Sequence, residues 1–336
     1  MKVLHITPHL GGGVGTVIMD WVEKVTQDQA HHVCSLDYIN PKALARFKAS
    51  NQGYTWGMKD INVVNVLSLQ MKIEEADIVL VHYWDHPMLV ELFTRTLPDC
   101  RMAFWCHKNC PVPMKEIRYP DRFITTSPIQ MPLSGFDYIW STGNMDRFLA
   151  IEPKPHEGFN IGYTGTIHHK KMHLHIKEMF VEIAHKIPNA RFTFVGKNYQ
   201  YQDWPEGIDP KRVKFVGQVD DVAPFLAEMD VFAYPLRPDH YGTCEIALGE
   251  AMCAGVVPVV MNNPAERLIC GSGAIDEAEF CRTIEILHML PKLRTELSPL
   301  IKGNARDRYS INNMIASWNL VFAEMMQNQK TKRSPL

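Results

Sequence analysis

His240-Tyr241-Gly242-Thr243-Cys244-Glu245-Ile246-Ala247-Leu248-Gly249-Glu250-Ala251-Met252-Cys253-Ala254-Gly255 lies between two short apolar segments, 231–234 and 256–260. β-rich runs of four or five residues, apolar throughout, read as strands buried on both faces of a parallel sheet. The stretch between them begins with small residues and continues as a helix. A strand that enters a helix through such a turn offers unpaired backbone N–H groups to an anion. Glu245 and Glu250 fall in the first turns of this expected helix. A carboxylate one or two turns in is placed to grip a ribose diol, and buried carboxylates are costly without a partner. Glutamates that merely complement the helix dipole would account for Glu245 better than for Glu250.

The same alternation extends in both directions. Strand candidates fall at 3–6, 61–66, 78–82, 101–106, 123–126 and 138–140, then at 160–163, 191–195, 213–216, 231–234 and 256–260. Helix candidates at 17–25, 174–186 and 221–228 separate some of them. This is the pattern of doubly wound α/β units. Ile151-Glu152-Pro153-Lys154-Pro155-His156-Glu157-Gly158 is polar and carries two prolines, so it reads as an extended linker. Two Rossmann-like domains facing each other across a cleft are therefore expected, at 1–150 and 158–310. A C-terminal helix over 311–328 would cross back, with Ile315, Trp318, Phe322 and Met325 on one face. A disordered tail should follow it.

Two further glycine turns follow strands. Gly11-Gly12-Gly13-Val14-Gly15 fits a dinucleotide, a phosphate or a bare tight turn. The dinucleotide reading also asks for an acidic residue about 20 residues on, and Asp37 comes late for it. Ile161-Gly162-Tyr163-Thr164-Gly165-Thr166-Ile167-His168-His169-Lys170-Lys171 adds a hydroxyl and two lysines, suited to a diphosphate. His168, His169, His173 and His175 invite a metal, but no carboxylate nearby in sequence completes a ligand set.

Composition bounds the rest. Of 336 residues, 46% are hydrophobic and 21% charged, which excludes disorder and fibrous architecture. With 35 Lys+Arg against 37 Asp+Glu the net charge is −2, so no overall field favours nucleic acid. The eight cysteines are spread over a long chain and read as reduced, mostly buried thiols. Cys106 and Cys110 bracket His107 without the second pair that a zinc site needs. No signal peptide or span of about 18 apolar residues is evident. A cytoplasmic location is expected, with the inner membrane face as a candidate surface. Arg101, Lys108, Lys115, Arg118 and Arg122, interleaved with Trp105 and Tyr119, fit either an anionic bilayer or a solvated loop.

Taken together, these motifs resemble the retaining nucleotide-sugar glycosyltransferases of GT-B architecture, the group 1 glycosyl transferases. The resemblance covers nearly the whole chain and is strongest over 161–260. It rests on Gly12-Gly13-Val14-Gly15, on Gly162, Gly165 and Lys171, on Phe194-Val195-Gly196, on 216–222 and on Glu250-Ala251-Met252-Cys253-Ala254-Gly255. A shuffled counterpart of the run that closes the first domain lies at 141–148. Two departures stand out. Thr166 takes the place of a basic residue, and Gly242 stands where the first of two glutamates would be, with Glu245 as the extra carboxylate.

The resemblance implies transfer of a hexose from a nucleoside-diphosphate sugar, UDP favoured, with retention of configuration and no metal or other cofactor. The acceptor would be a glycan, a glycolipid or a small molecule. His107, Lys171 and Glu245 would be catalytic, with His107 facing the transferred sugar. Lys171 and Thr166 would neutralise the diphosphate, helped by N–H groups of Gly242, Thr243 and Cys244 beside Tyr241. Gly12 and Gly13 would close on the phosphates, and Gly165 would form the turn beside them. Gly196, Lys197, Val219 and Val222 would border the base, and Glu250 would bind the ribose. His82, Trp84, Asp85 and His86 would lie on the acceptor side. A sugar-nucleotide-binding protein without transferase activity, a nucleotide-sugar epimerase and an NAD-dependent dehydrogenase are the competing readings.

Overall fold

The structure, a computed structural model, describes residues 1–26, 28–107, 112–130, 137–198, 206–240 and 242–336. Tyr241, Lys108 and Cys110, all named above, lie outside the described residues. The chain forms two compact units, one of Met1–Asn144 with Ser310–Leu336 and one of Met145–Tyr309.

The strands of the first unit are β1 (Lys2–Thr7), β2 (Ala30–Ser35), β3 (Thr55–Gly57), β4 (Ile78–Tyr83), β5 (Leu97–Cys100), β6 (Met102–Cys106) and β7 (Arg122–Thr125). Its helices are α1 (Gly12–Lys24), α2 (Pro41–Ala49), α3 (Val63–Glu75), α4 (Pro87–Phe93) and α5 (Met114–Ile117). A parallel sheet runs β3-β2-β1-β4-β6-β7. Strand order reverses between β1 and β4, where the loops at the carboxyl ends diverge and leave room for a ligand. Val3, Leu4, Ile6 and all of Ile78, Val79, Leu80 and Val81 are fully buried, the two-sided burial that apolar strands predict.

The second unit contains α6 (Asp146–Leu149), β8 (Phe159–Thr164), α7 (Ile176–Lys186), β9 (Ala190–Val195), β10 (Val213–Gly217), α8 (Ala223–Leu226), β11 (Val231–Tyr234), α9 (Ile246–Cys253), β12 (Val257–Val260), α10 (Pro264–Cys270), α11 (Glu277–Met289) and α12 (Pro291–Arg308). Its parallel sheet runs β10-β9-β8-β11-β12, reversing between β8 and β11. The chain then returns to the first unit as α13 (Ile311–Met326) and β13 (Thr331–Arg333). On α13 Met314, Trp318, Phe322 and Met325 are buried, and Ile315 is half-buried.

Three expectations need correction. Residues 61–66 are not a strand. Asn62 caps α3 by accepting from the Asn65 N–H at 2.9 Å, and Val66, Leu69 and Ile73 face the core at helical spacing while Val63 and Val64 are exposed. The 138–140 segment makes only a bridge, Thr125 to Tyr138. The tail is not disordered: β13 pairs antiparallel with β5, and buried Arg333 donates to the Tyr119 carbonyl at 2.9 Å, the Cys100 carbonyl at 3.0 Å and the Asp121 carboxylate.

The basic patch also comes apart. Trp105 is fully buried, Arg101 donates to the Asn328 carbonyl at 2.7 Å, and Arg122 pairs with Glu324 on α13. Lys115 and Arg118 remain exposed. Among the described residues no helix is long and apolar enough to cross a membrane. Of the seven described cysteines, all free thiols, six are buried and Cys270 is half-buried.

Candidate active site

In the second unit the predicted residues collect at the carboxyl ends of the parallel strands. Gly165 and Thr166 follow β8, Gly196 and Lys197 follow β9, Val219 and Val222 follow β10, and Gly242–Glu245 follow β11. Gly165 and Gly196 have φ of +131° and +144°, which a side chain resists. A Cβ on Gly196 would also collide with the Gly165 carbonyl oxygen, so these two turns approach as only glycine backbones can. Backbone bonds fix the arrangement: Gly165 N–H to the Val195 carbonyl at 2.9 Å, Gly196 N–H to the Gly217 carbonyl at 2.8 Å, and Ile167 N–H to the Lys197 carbonyl at 3.0 Å. Thr166 is half-buried, and its carbonyl accepts from the Tyr163 hydroxyl at 2.9 Å.

Lys171 and Glu245 meet at the β8/β11 reversal. Lys171 Nζ is 3.3 Å from Glu245 Oε2 and donates to the Tyr234 hydroxyl at 2.8 Å, while that hydroxyl donates to the same Glu245 oxygen. Their side chains are 13% and 2% exposed, so the pair works in a low-dielectric setting. His240 Nδ1 lies 3.6 Å from Glu245 Oε1, and His240 Nε2 lies 2.8 Å from fully buried Glu266. Burial alone would push the Glu245 carboxyl up. Lys171, His240 and the Tyr234 hydroxyl outweigh it and hold the group below its ordinary value. Burial would lower His240, but the Glu266 hydrogen bond and the Glu245 charge leave it raised. The cluster thus alternates in sign along Lys171, Glu245, His240 and Glu266.

Glu245 does not occupy the first turn of a helix. It is the residue before α9, in left-handed backbone with φ 37° and ψ 65°. A non-glycine residue there stores strain of about 1–2 kcal/mol, which the buried contacts of its side chain offset. That bend turns the carboxylate back over Gly242, where a Cβ would collide with Glu245 Oε1. The space left by the missing side chain at 242 is filled by Glu245. Its burial is compensated by protein groups, so a ligand is not needed to explain it. Glu250, half-buried, lies in the second turn of α9. Thr243 and Cys244 are buried, and the Cys244 carbonyl accepts from the Tyr309 hydroxyl at 2.8 Å. Lys197 is exposed, while Val219 and Val222 are half-buried.

Sequence reasoning missed Tyr234, His240 and Glu266. The first two lie in the quoted neighbourhood, Tyr234 ending a strand and His240 opening the turn. Glu266 carried no local signal. It also missed Glu277, which lies 2.8 Å from His175 Nδ1 and 3.8 Å from His173 Nε2. One ligand atom from each of the three falls within 4.8 Å of the others, so a carboxylate distant in sequence does join these histidines. A cavity of about 440 Å³ elsewhere in this unit, lined by His156, Asp230, Arg294 and Lys302, holds none of the predicted residues.

In the first unit the glycine loop is itself the start of α1. Gly11 precedes the helix, Gly12 has φ +63° and Gly13 follows within the first turn. A Cβ on Gly15 would press on the Leu10 backbone at 3.0 Å. His107 follows β6 and bonds through Nε2 to His82 Nδ1 at 3.2 Å. Burial pulls the His107 imidazole down to about 3, so it is neutral. His82 is fully buried within β4, which corrects its assignment to an acceptor surface. His86 caps α4, accepting from the Met88 N–H at 3.3 Å.

Residues 158–285 match the family model described as Glycosyl transferases group 1. No curated protein matches the chain. Among solved structures, Anabaena Alr3699/HepE in complex with UDP superimposes with TM-score 0.75 at 12% identity, over 96% of this chain and 100% of that one. TarM, named as an S. aureus protein in a related complex, gives 0.76 at 11% identity over 96% and 99%. The Thermobaculum terrenum O-GlcNAc transferase gives 0.64 at 14% over 97% and 68%. Over residues 158–285 the chain is therefore similar to the group 1 glycosyl transferases, and its fold is the one these solved glycosyltransferase structures share.

Proposed function

We propose that the chain transfers a hexose from UDP-sugar to a glycan, glycolipid or small-molecule acceptor, with retention and without a metal. The observation that carries this reading is the meeting of Lys171, Tyr234 and Glu245 beside two glycine turns at the β8/β11 reversal. Cleavage of the anomeric C–O bond passes through an oxocarbenium-like state while negative charge builds on the leaving diphosphate. Preorganised donors aimed at that charge lower the barrier most. Lys171, held by Glu245 and Tyr234, is a cation whose position costs little to organise. The N–H groups around Thr243 and Cys244 and the Thr166 hydroxyl would share the diphosphate, and Glu250 would hold the ribose. Tyr241, the Gly12-Gly13 turn, Gly196, Lys197, Val219 and Val222 keep the roles the resemblance implies for them. HepE was solved with UDP and glucose and TarM with UDP, which supports the choice of donor.

The test is a melting panel with UDP, GDP, ADP, TDP, CMP and NAD in EDTA, followed by turnover of the matching sugar nucleotide. A ligand at a hundredfold its Kd adds about 2.7 kcal/mol of apparent stability. A shift with UDP and donor consumption that needs an acceptor and survives EDTA is expected. A response to NAD alone, or to nothing, refutes the reading. An epimerase would change the sugar nucleotide with no acceptor, and a binding protein would shift without consuming it. Contact with the inner membrane face through Lys115 and Arg118 predicts co-sedimentation with anionic vesicles at low salt, lost at high salt.

A further inference from the structure

Four histidines on neighbouring strands of the first unit form a continuous hydrogen-bonded chain. His31 on β2 meets His5 on β1 (Nδ1 to Nε2, 2.8 Å), His5 meets His82 on β4 (Nδ1 to Nε2, 2.9 Å), and His82 meets His107 after β6 (Nδ1 to Nε2, 3.2 Å). At the far end His31 Nε2 is 3.2 Å from Gln29 Oε1. His5, His31 and His82 are fully buried, Trp21 and Trp105 pack against the histidine series, and Trp318 packs against both tryptophans. Trp21 stands edge-on to His5 at 5.2 Å, and Trp105 lies 4.9 Å from the His107 ring. In this setting all four rings are neutral: burial lowers each, and the neighbouring rings lower His5 and His82 further.

Neutrality makes the chain two-state. Each N···N contact needs one proton, and each ring has one to give. Only two arrangements satisfy all three contacts, every ring protonated at Nε2 or every ring protonated at Nδ1. Gln29 chooses between them. Its amide nitrogen donates to Asn319 Oδ1 at 3.0 Å, which turns its oxygen toward His31 as an acceptor. His31 must then carry its proton on Nε2, and the same follows for His5, His82 and His107 in turn. Among the described residues, the one ring nitrogen of these four histidines outside the hydrogen-bonded series is Nδ1 of His107, left with a lone pair.

We propose that His31, His5 and His82 are positioning residues that hold His107 in the Nε2–H tautomer, so that its Nδ1, at the carboxyl end of β6, is presented as a hydrogen-bond acceptor for a ligand hydroxyl. The identity of that hydroxyl group's owner rests on the transferase reading; the tautomer does not. A sheet that spends three core positions on histidine gains little packing from them. What it gains is a fixed sense of donation at a residue near the strand ends.

The test reads the tautomers directly, by long-range ¹⁵N–¹H correlation of ring-labelled histidine, with H107Q used to assign His107. The four rings should all show the Nε2–H pattern at pH 7. Glu at position 29 accepts only, so Q29E should keep the pattern. Lys donates only, so Q29K should convert His107 to Nδ1–H. Gln29 is half-buried near the surface, and neither change cuts into the core. With UDP-glucose as probe, Q29K should lower kcat at least tenfold while the Kd for UDP stays within twofold. An Nδ1–H or mixed His107 in the unmodified protein overturns the proposal. So does a Q29K protein that has converted its tautomer yet keeps kcat. Failure of UDP to bind any variant would instead strike the transferase reading and leave the tautomer result standing.

Discussion

Acidification should unfold the first unit well before the second. His31 and His107 are held near 3 by burial, and His5 and His82 are pushed down in the same direction. In the unfolded chain each returns to about 6.5. Between those values the unfolded state binds more protons, so stability is fully present above the unfolded pKa and drains away as pH falls. From pH 7 to pH 5 His31 and His107 each cost about 2 kcal/mol, about 4 kcal/mol together, and His5 and His82 add to the loss in the same direction. A domain typically has about 5–15 kcal/mol in total. In the second unit raised His240 acts oppositely, contributing fully below the unfolded value, and lowered Glu245 keeps its contribution above the ordinary carboxylate range. Six of the seven tryptophans belong to the first unit, so their fluorescence reports it. Guanidinium unfolding followed by that signal should lose about 1 M or more of midpoint between pH 7 and pH 5. A midpoint that stays put would mean that the imidazoles are not held neutral in the core, and the hydrogen-bonded chain as described would be wrong.

Other perturbations separate the site's parts. Lys171→Met leaves Glu245 buried without its cation and should cost about 3–5 kcal/mol in denaturant unfolding, with turnover lost as well; an unchanged melting curve would contradict the buried pair. Gly242→Ala drives a methyl into the Glu245 carboxylate and should abolish donor turnover, whereas Glu250→Ala should weaken UDP affinity with little effect on melting. Gly196→Ala faces both φ +144° and the Gly165 carbonyl, so a fully active variant would show that the two turns do not approach as described. Arg333→Ala removes donors to two carbonyls and the Asp121 carboxylate and should lower stability by about 1–3 kcal/mol, a loss a disordered tail would not produce.

The legible part of this molecule was what repeats locally. Strands buried on both faces announce themselves as apolar runs, and the glycine turns after β8 and β9 follow from backbone geometry that needs no partner. The misread segments were those decided by distant partners. Residues 61–66 carry β-branched residues in a strand-like run, and only the cap at Asn62 with the spacing of Val66, Leu69 and Ile73 makes them the entry to α3. The tail looks solvated because its partner, β5, lies more than two hundred residues earlier. The same division holds within the site. Lys171 and Glu250 stood in motifs, but the charge balance of Glu245 depends on Tyr234 and His240, and that of His240 on Glu266, a residue on another helix. His5, His31 and His82 are buried polar residues in largely apolar strands, and singly each reads as a tolerated core histidine. Parallel register sets them in a diagonal row: Val3 pairs with His31, His5 with Leu80 and His82 with Trp105, so each histidine stands two residues further along its strand than its neighbour, on the same face and within reach. A polar residue that steps by two positions from one strand of a sheet to the next, and so stays on one face, is therefore a readable signal once strand order and register are known.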